Sequence, residues 1–300
     1  MGLSFDFRFS RMALNGALAV ALVLFTVSHG FSVSAAGIEA RHRVALAEQQ
    51  GALVERVSRA ACMVRAGVAA EENSAEIGQV LQSFDAVMAG LRNGDAALKL
   101  AKAESNSKVL KALDEVERSW QPFRAAADKV AVSGSVPEGS GELLFEDDKK
   151  ILGELSKLVA AVESAHAIPA DMLLVNAVLI DLAARQEVLT QSVGKNLCLL
   201  RIDWRAEEHR AEIVAEMAQI DATQQALLNG VPTMGIKPAP TPAIKLALEE
   251  FGVVWSEMRT VVDQAVAGQP VSDEALDAFE RKNLSVLKDL EDLVTLYEAL

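Results

Sequence analysis

LAARQEVLTQSVGKNLCLLR, residues 182–201, decides how this chain is read, because a weaker copy of it, LAEQQGALVERVSRAACMVR, occupies residues 46–65. At a constant offset of 136 positions and without a gap, Leu46/Leu182, Ala47/Ala183, Gln50/Gln186, Leu53/Leu189, Val57/Val193, Cys62/Cys198 and Arg65/Arg201 coincide. Chance would give roughly one or two identities over such a span, so the chain reads as a duplication.

Both copies are helical by period. Leu182, Gln186, Leu189, Val193, Leu197 and Leu200 recur at spacings of three and four, and Leu46, Gln50, Leu53, Val57, Ala61 and Val64 repeat the pattern. That is the spacing of a helix packed into a bundle seam. Each copy places one amide, Gln50 or Gln186, at the same register of an otherwise apolar stripe. A buried amide left unpaired costs about 1–3 kcal/mol, so either a partner helix or a ligand has to satisfy it.

Matches continue outside the quoted stretch. Asp85/Asp221, Leu91/Leu227, Asn93/Asn229 and Gly94/Gly230 keep the offset, and one deletion aligns Trp120/Trp255, Arg124/Arg259 and Asp128/Asp263. Helices are expected over about 37–70, from the Asn73-Ser74 break to Asn93-Gly94, over about 105–132, and from Glu142 to near His166. The second copy repeats the plan, with a long helix from Ala170 to about Trp204, a second ending at Asn229-Gly230, a third opened by Thr241-Pro242 and a fourth capped by Ser272. Residues 133–141 read as a loop, and the proline-rich run 231–242 as an extended, exposed one. Pro169 suits the first turn of a new helix and marks the boundary. The expected architecture is all-α: two tandem antiparallel four-helix bundles, 37–167 and 168–300.

Composition agrees, since apolar residues make up 51% of the chain but aromatics only 5%, as in Ala- and Leu-rich helical proteins. The 300 residues carry a net charge of -13. Nucleic acid and anionic membrane surfaces are thereby poor partners. Arg8 and Arg11 precede an apolar run from Met12 to Val27, and Val33, Ser34 and Ala35 offer a small-residue cleavage site. Residues 1–36 therefore read as a secretory signal peptide, or alternatively as an uncleaved membrane anchor. Either way the remainder is expected in the periplasm, secreted or tethered to the inner membrane.

Catalytic signatures such as G-x-S-x-G, H-E-x-x-H, C-x-x-C and the phosphate-binding glycine loops do not occur in the sequence, and no enzymatic activity, cofactor or metal is expected. A di-iron bundle needs paired E-x-x-H motifs with further inward glutamates, whereas Glu163 to His166 stands alone. His209, among Glu207, Glu208, Arg210 and Glu212, reads as part of a solvated helix start, and His42 as a surface residue. Cys62 and Cys198 lie on a second helical face, shared in the second copy with Ala184, Val188, Gln191 and Lys195. If the long helices pack together about a pseudo-twofold axis, the two cysteines can form a disulfide, provided their Cα atoms lie within about 7 Å. Otherwise they are two small apolar residues in separate cores.

IDLAARQEVLTQSVGK, residues 180–195, resembles the first-helix motif of the sensor domain of type IV pilus methyl-accepting chemotaxis transducers (PilJ-type), usually close to I-N-L-A-G-R-Q-R-M-L-S-Q-R-M-A-K. Ile180, Leu182, Ala183, Arg185, Gln186, Leu189, Gln191 and Lys195 match as they stand. The resemblance implies a periplasmic four-helix bundle that senses a small ligand, usually as a homodimer joined along its long first helices. In related nitrate/nitrite sensors an arginine of this helix binds the anion between subunits; here that position is Glu187 in the second copy and Gly51 in the first, which argues against nitrate. Arg185, Gln186, Gln50 and Gln191 are the candidate ligand-binding residues, for a small polar or anionic ligand. With no cytoplasmic output region in the sequence, a membrane receptor or another envelope protein is the expected partner. The alternative is a ligand-free interaction scaffold.

Overall fold

A computed structural model describes residues 35–166 and 174–300. The charged and apolar part of the expected leader and the boundary residue Pro169 fall outside the described residues. Nine α-helices account for the described regular structure, with one single-turn 3-10 helix and no sheet. They are α1 (Ala35–Ala66), α2 (Ala70–Asn93), α3 (Ser107–Ser133), the short α4 (Gly141–Phe145), α5 (Asp148–His166), α6 (Leu174–Arg201), α7 (Ala206–Asn229), α8 (Pro242–Val266) and α9 (Asp273–Glu298).

Helix α1 packs on α2 and α5, and α3 closes the ring by packing on the same two; α6, α7, α8 and α9 make an equivalent ring. These are the two expected four-helix bundles. They are not strung end to end as separate domains, because α1 and α6 run against each other and residues 33–300 form one compact unit. Each central helix therefore has its own bundle on one side and the other bundle on the opposite side. From residue 43 to 64 only Gln49, Leu53 and Arg56 are even partly exposed, and residues 189–199 are buried without interruption. A helix covered on all sides need not be apolar on all sides, but every polar group it carries then needs a partner.

Helix ends follow local chemistry. Asn106 accepts from the backbone N–H groups of Lys108 and Val109, Thr241 from Ile244 and Ser272 from Ala275, each supplying an acceptor to first-turn donors that lack one. Gly94 and Gly230 end α2 and α7 with φ of 76°. A Cβ at Gly230 would lie 2.6 Å from the Ile236 carbonyl oxygen, and one at Gly94 2.8 Å from the Lys102 carbonyl carbon. Both turns thus need glycine on two counts.

Four expectations are corrected. Asn73 and Ser74 do not start α2; the break falls at 67–69, and Asn73 sits inside the helix with its side-chain amide donating to the Val68 and Ala69 carbonyls. The segment from Glu142 to His166 is not continuous, since the chain breaks between α4 and α5 and delivers Asp148 to the interior. The proline-rich run 231–242 is not simply extended: Pro232–Met234 form a 3-10 turn, and Val231 and Ile236 exchange two backbone hydrogen bonds. The same exchange joins Asp95 and Leu100, 136 positions earlier. His209 is fully buried, not solvated, with Nδ1 2.8 Å from Asn196 Oδ1.

Candidate functional site

The seam between α1 and α6 is built from the second face of each helix. At one end Cys62 and Cys198 are joined by a disulfide, their Cα atoms 6.1 Å apart. One turn before each cysteine stands a buried cation. Arg59 Nη2 donates to both carboxylate oxygens of Glu76 on α2, at 2.8 and 2.7 Å, and its other terminal nitrogen pairs with Glu280 on α9. Lys195 Nζ donates to Asp148 on α5 at 2.5 Å and lies 2.9 Å from Glu55 on α1. Arg59 and Lys195 are separated by the same 136 positions, and each reaches the last helix of the opposite bundle. Burial pushes Glu55 up to about 8, opposed by the adjacent ammonium. Burial works against the charge of Lys195, but Asp148 and Glu55 outweigh it and hold the ammonium above its ordinary value.

A second cross-bundle contact caps the same end. The Trp204 indole donates to Glu146 at 2.8 Å and meets the Phe145 ring edge-on at 5.4 Å. Gly141 is required beneath it, because a Cβ there would lie 2.5 Å from the indole. Close approach also explains Gly194, whose added Cβ would sit 3.1 Å from the Arg59 side chain.

The sequence-predicted site residues do not converge. Gln186 donates to the Ile220 carbonyl on α7 at 3.2 Å, so a neighbouring helix takes its amide nitrogen. Gln50 turns back to Leu46 of its own helix at 2.9 Å. Gln191 exchanges hydrogen bonds with Asn283 on α9, at 3.0 and 3.4 Å. Arg185 lines a cavity; its side chain is 53% exposed and lies 3.6 Å from Asp181.

That cavity is a groove of about 440 Å³ between α1, α5 and α6, toward the end of the seam away from the disulfide. Leu152, Val159, Val178 and Val188 supply apolar wall, and Glu48, Glu163 and Asp181 face Arg185. Glu48 is buried, and neither of its carboxylate oxygens has a hydrogen-bond partner. Burial first, and then the charges of Asp181, Glu163 and Glu298, push its carboxyl up to about 9. Burial and Asp181 raise Glu163 as well. The sequence reading missed these acids, although a signal was present: Glu48, Glu55 and Cys62 follow one another at seven-residue spacing on one face, with Arg59 beside them.

Among the described residues no group of three or more His, Cys, Asp or Glu is arranged to hold a metal ion, and His166 lies 2.6 Å from Glu104. No described helix is long and apolar enough to cross a membrane. Compared with known families, residues 42–144 match the model described as the N-terminal domain of type IV pili methyl-accepting chemotaxis transducers, PilJ. Residues 42–144 are a PilJ-type domain. No curated protein and no solved structure matches the chain.

The PilJ-type match covers most of α1 together with α2, α3 and most of α4, and so includes the stretch 46–65 rather than 182–201. Such a domain is a sensory module of a chemotaxis transducer rather than a member of an enzyme family, and it works with other signalling proteins. Inside it the Trp120 indole and the Arg124 guanidinium both donate to Asp85, at 2.9 and 2.7 Å. Trp255 and Arg259 hold Asp221 in the same way beyond the matched residues. Cavities of about 450 and 800 Å³ adjoin these two clusters. In both, the aspartate is already taken up by the indole and guanidinium.

Proposed function

We propose that this chain is an exported sensor-type module that recognises a small ligand at the α1–α6 seam and reports its occupancy to a separate signalling protein. In this reading residues 168–300 are a second PilJ-type copy and stand in for the second subunit of a dimer. The observation that carries the proposal is the groove, which lies between the first helices of the two copies beside a PilJ-type domain. Export is supported by the Arg8, Arg11 and apolar-run pattern, and by a disulfide, which persists in oxidising compartments.

The seam is unevenly held. Around residues 55–62 and 191–198 a covalent bond and two buried cations tie the bundles together. About 14 residues before the cysteine of α1, or roughly 21 Å along the helix, the groove separates α5 from α6; among the described residues no ion pair joins those two helices there, and His42 on α1 lies 3.5 Å from Glu298 on α9. A ligand filling that end would move α5 and α6 relative to each other while the other end acts as the pivot.

The test is a thermal-shift panel of small polar metabolites, anions and cations on the purified chain, repeated with groove variants Arg185→Ala and Glu48→Gln. A ligand that raises the melting temperature of the wild type and not of at least one variant is expected. If no compound shifts the wild type, the sensor reading fails and the interaction-scaffold alternative replaces it.

A further inference from the structure

The groove's polar groups are mostly of one sign. Three carboxylates, Glu48, Glu163 and Asp181, face one guanidinium, and Arg185 is already directed to Asp181 at 3.6 Å. An anion entering here meets more like charge than opposite charge. Glu48 stands out within the set, being 92% buried with both oxygens unpaired, whereas the buried charges at the other end of the seam, Arg59, Lys195, Glu55 and Asp148, are matched to partners. Leaving such acceptors unpaired is costly, and a donor brought by a ligand would relieve that cost. The remaining wall is hydrocarbon from Leu152, Val159, Val178 and Val188.

We propose that the groove between α1, α5 and α6 recognises a small organic cation, a protonated amine on a short apolar body, with the Glu48 carboxylate as its anchor. This rests on the ligand-binding reading above and narrows it to one chemical class. The ammonium donates to Glu48 and Glu163, and the carbon chain lies against the valines. Glu48 is surrounded by Asp181 and Arg185 on α6, Glu163 on α5 and Glu298 on α9, the last 3.5 Å from His42. Glu48 is held protonated at neutral pH by burial and by these acids, so binding an ammonium there displaces its proton to solvent. Amine affinity should therefore rise as pH increases from 6 toward 9, as long as the amine itself stays protonated.

The experiment is isothermal titration of the full chain with butylamine, 1,4-diaminobutane, nitrate and succinate, in two pH 7 buffers of different ionisation enthalpy. One amine per chain is expected to bind with proton release, at least tenfold more weakly to Glu48→Gln, and within threefold of wild type to Arg185→Ala. Glu163→Gln provides an independent second variant, and unfolding curves establish that each variant is folded. Amine binding equal in wild type and Glu48→Gln overturns the anchor. Binding of nitrate or succinate that Arg185→Ala abolishes, without amine binding, overturns the amine inference but leaves the sensor reading standing. Absence of heat with all four compounds overturns the amine inference, and the wider panel then decides the sensor reading.

Discussion

Replacing both cysteines by alanine, Cys62→Ala with Cys198→Ala, removes a cross-link that closes a loop of 136 residues. In the unfolded chain such a closure lowers conformational entropy, and for a loop of this length the effect is about 5 kcal/mol at 25 °C. The sulfur atoms also fill space, since both cysteines are fully buried, but their loss adds a smaller cost, about 1 kcal/mol per site. For a body of this size 1 kcal/mol corresponds to roughly 2–4 °C, so the combined loss of about 7 kcal/mol gives an expected fall in melting temperature of about 14–28 °C. Thermal and guanidinium unfolding, followed by helix circular dichroism, would measure it. Reduced wild type, with the same side chains but no bond, separates loop entropy from packing. Because Arg59 and Lys195 still cross the seam, the bridge-free protein should unfold in one transition. A double variant melting within about 2 °C of wild type would refute the loop-closure argument, and two separated transitions would refute the description of residues 33–300 as one cooperative body.

Lys195→Met should destabilise by about 3–5 kcal/mol, because Asp148 and Glu55 are left buried and facing each other without the cation; adding Glu55→Gln should recover part of that loss in chemical denaturation. Glu48 and Glu187, raised to about 9 and about 8 by burial first and by neighbouring acids second, bind protons more tightly folded than unfolded. Their favourable contribution is complete below about pH 4.5, declines as pH rises and is lost above about pH 9. Stability measured from pH 5 to 9 should therefore fall, and Glu48→Gln should flatten the slope, gaining about 1–3 kcal/mol at pH 8 and little at pH 5. Asp85→Ala and Asp221→Ala should cost similar amounts, about 1 kcal/mol each, since both clusters are partly exposed and screened; a difference above about 1.5 kcal/mol would show that the two bundles do not use them equivalently.

The helical class and most helix ends were legible in the sequence because both are local: period and caps are written in consecutive residues. Asn93-Gly94, Asn229-Gly230, Thr241-Pro242 and Ser272 mark helix ends that the fold keeps. Gln191 and Lys195 belong to the quoted motif, but their partners, Asn283 and Asp148, lie 92 and 47 residues away and are set by packing. His209 was misread for the same reason: a charged run looks solvated until another element covers it.

The sequence alone determined that this is a helical protein, since apolar spacing and turn chemistry act within a few residues. Only the tertiary structure decided that α1 and α6 face each other, and with that every long-range pairing followed. The seam turns Cys62 and Cys198 into one bond, gives Arg59 and Lys195 their counter-charges and leaves Glu48 buried without a partner. The free energy of a buried charge depends on what surrounds it in space, which is not encoded in the residues beside it along the chain.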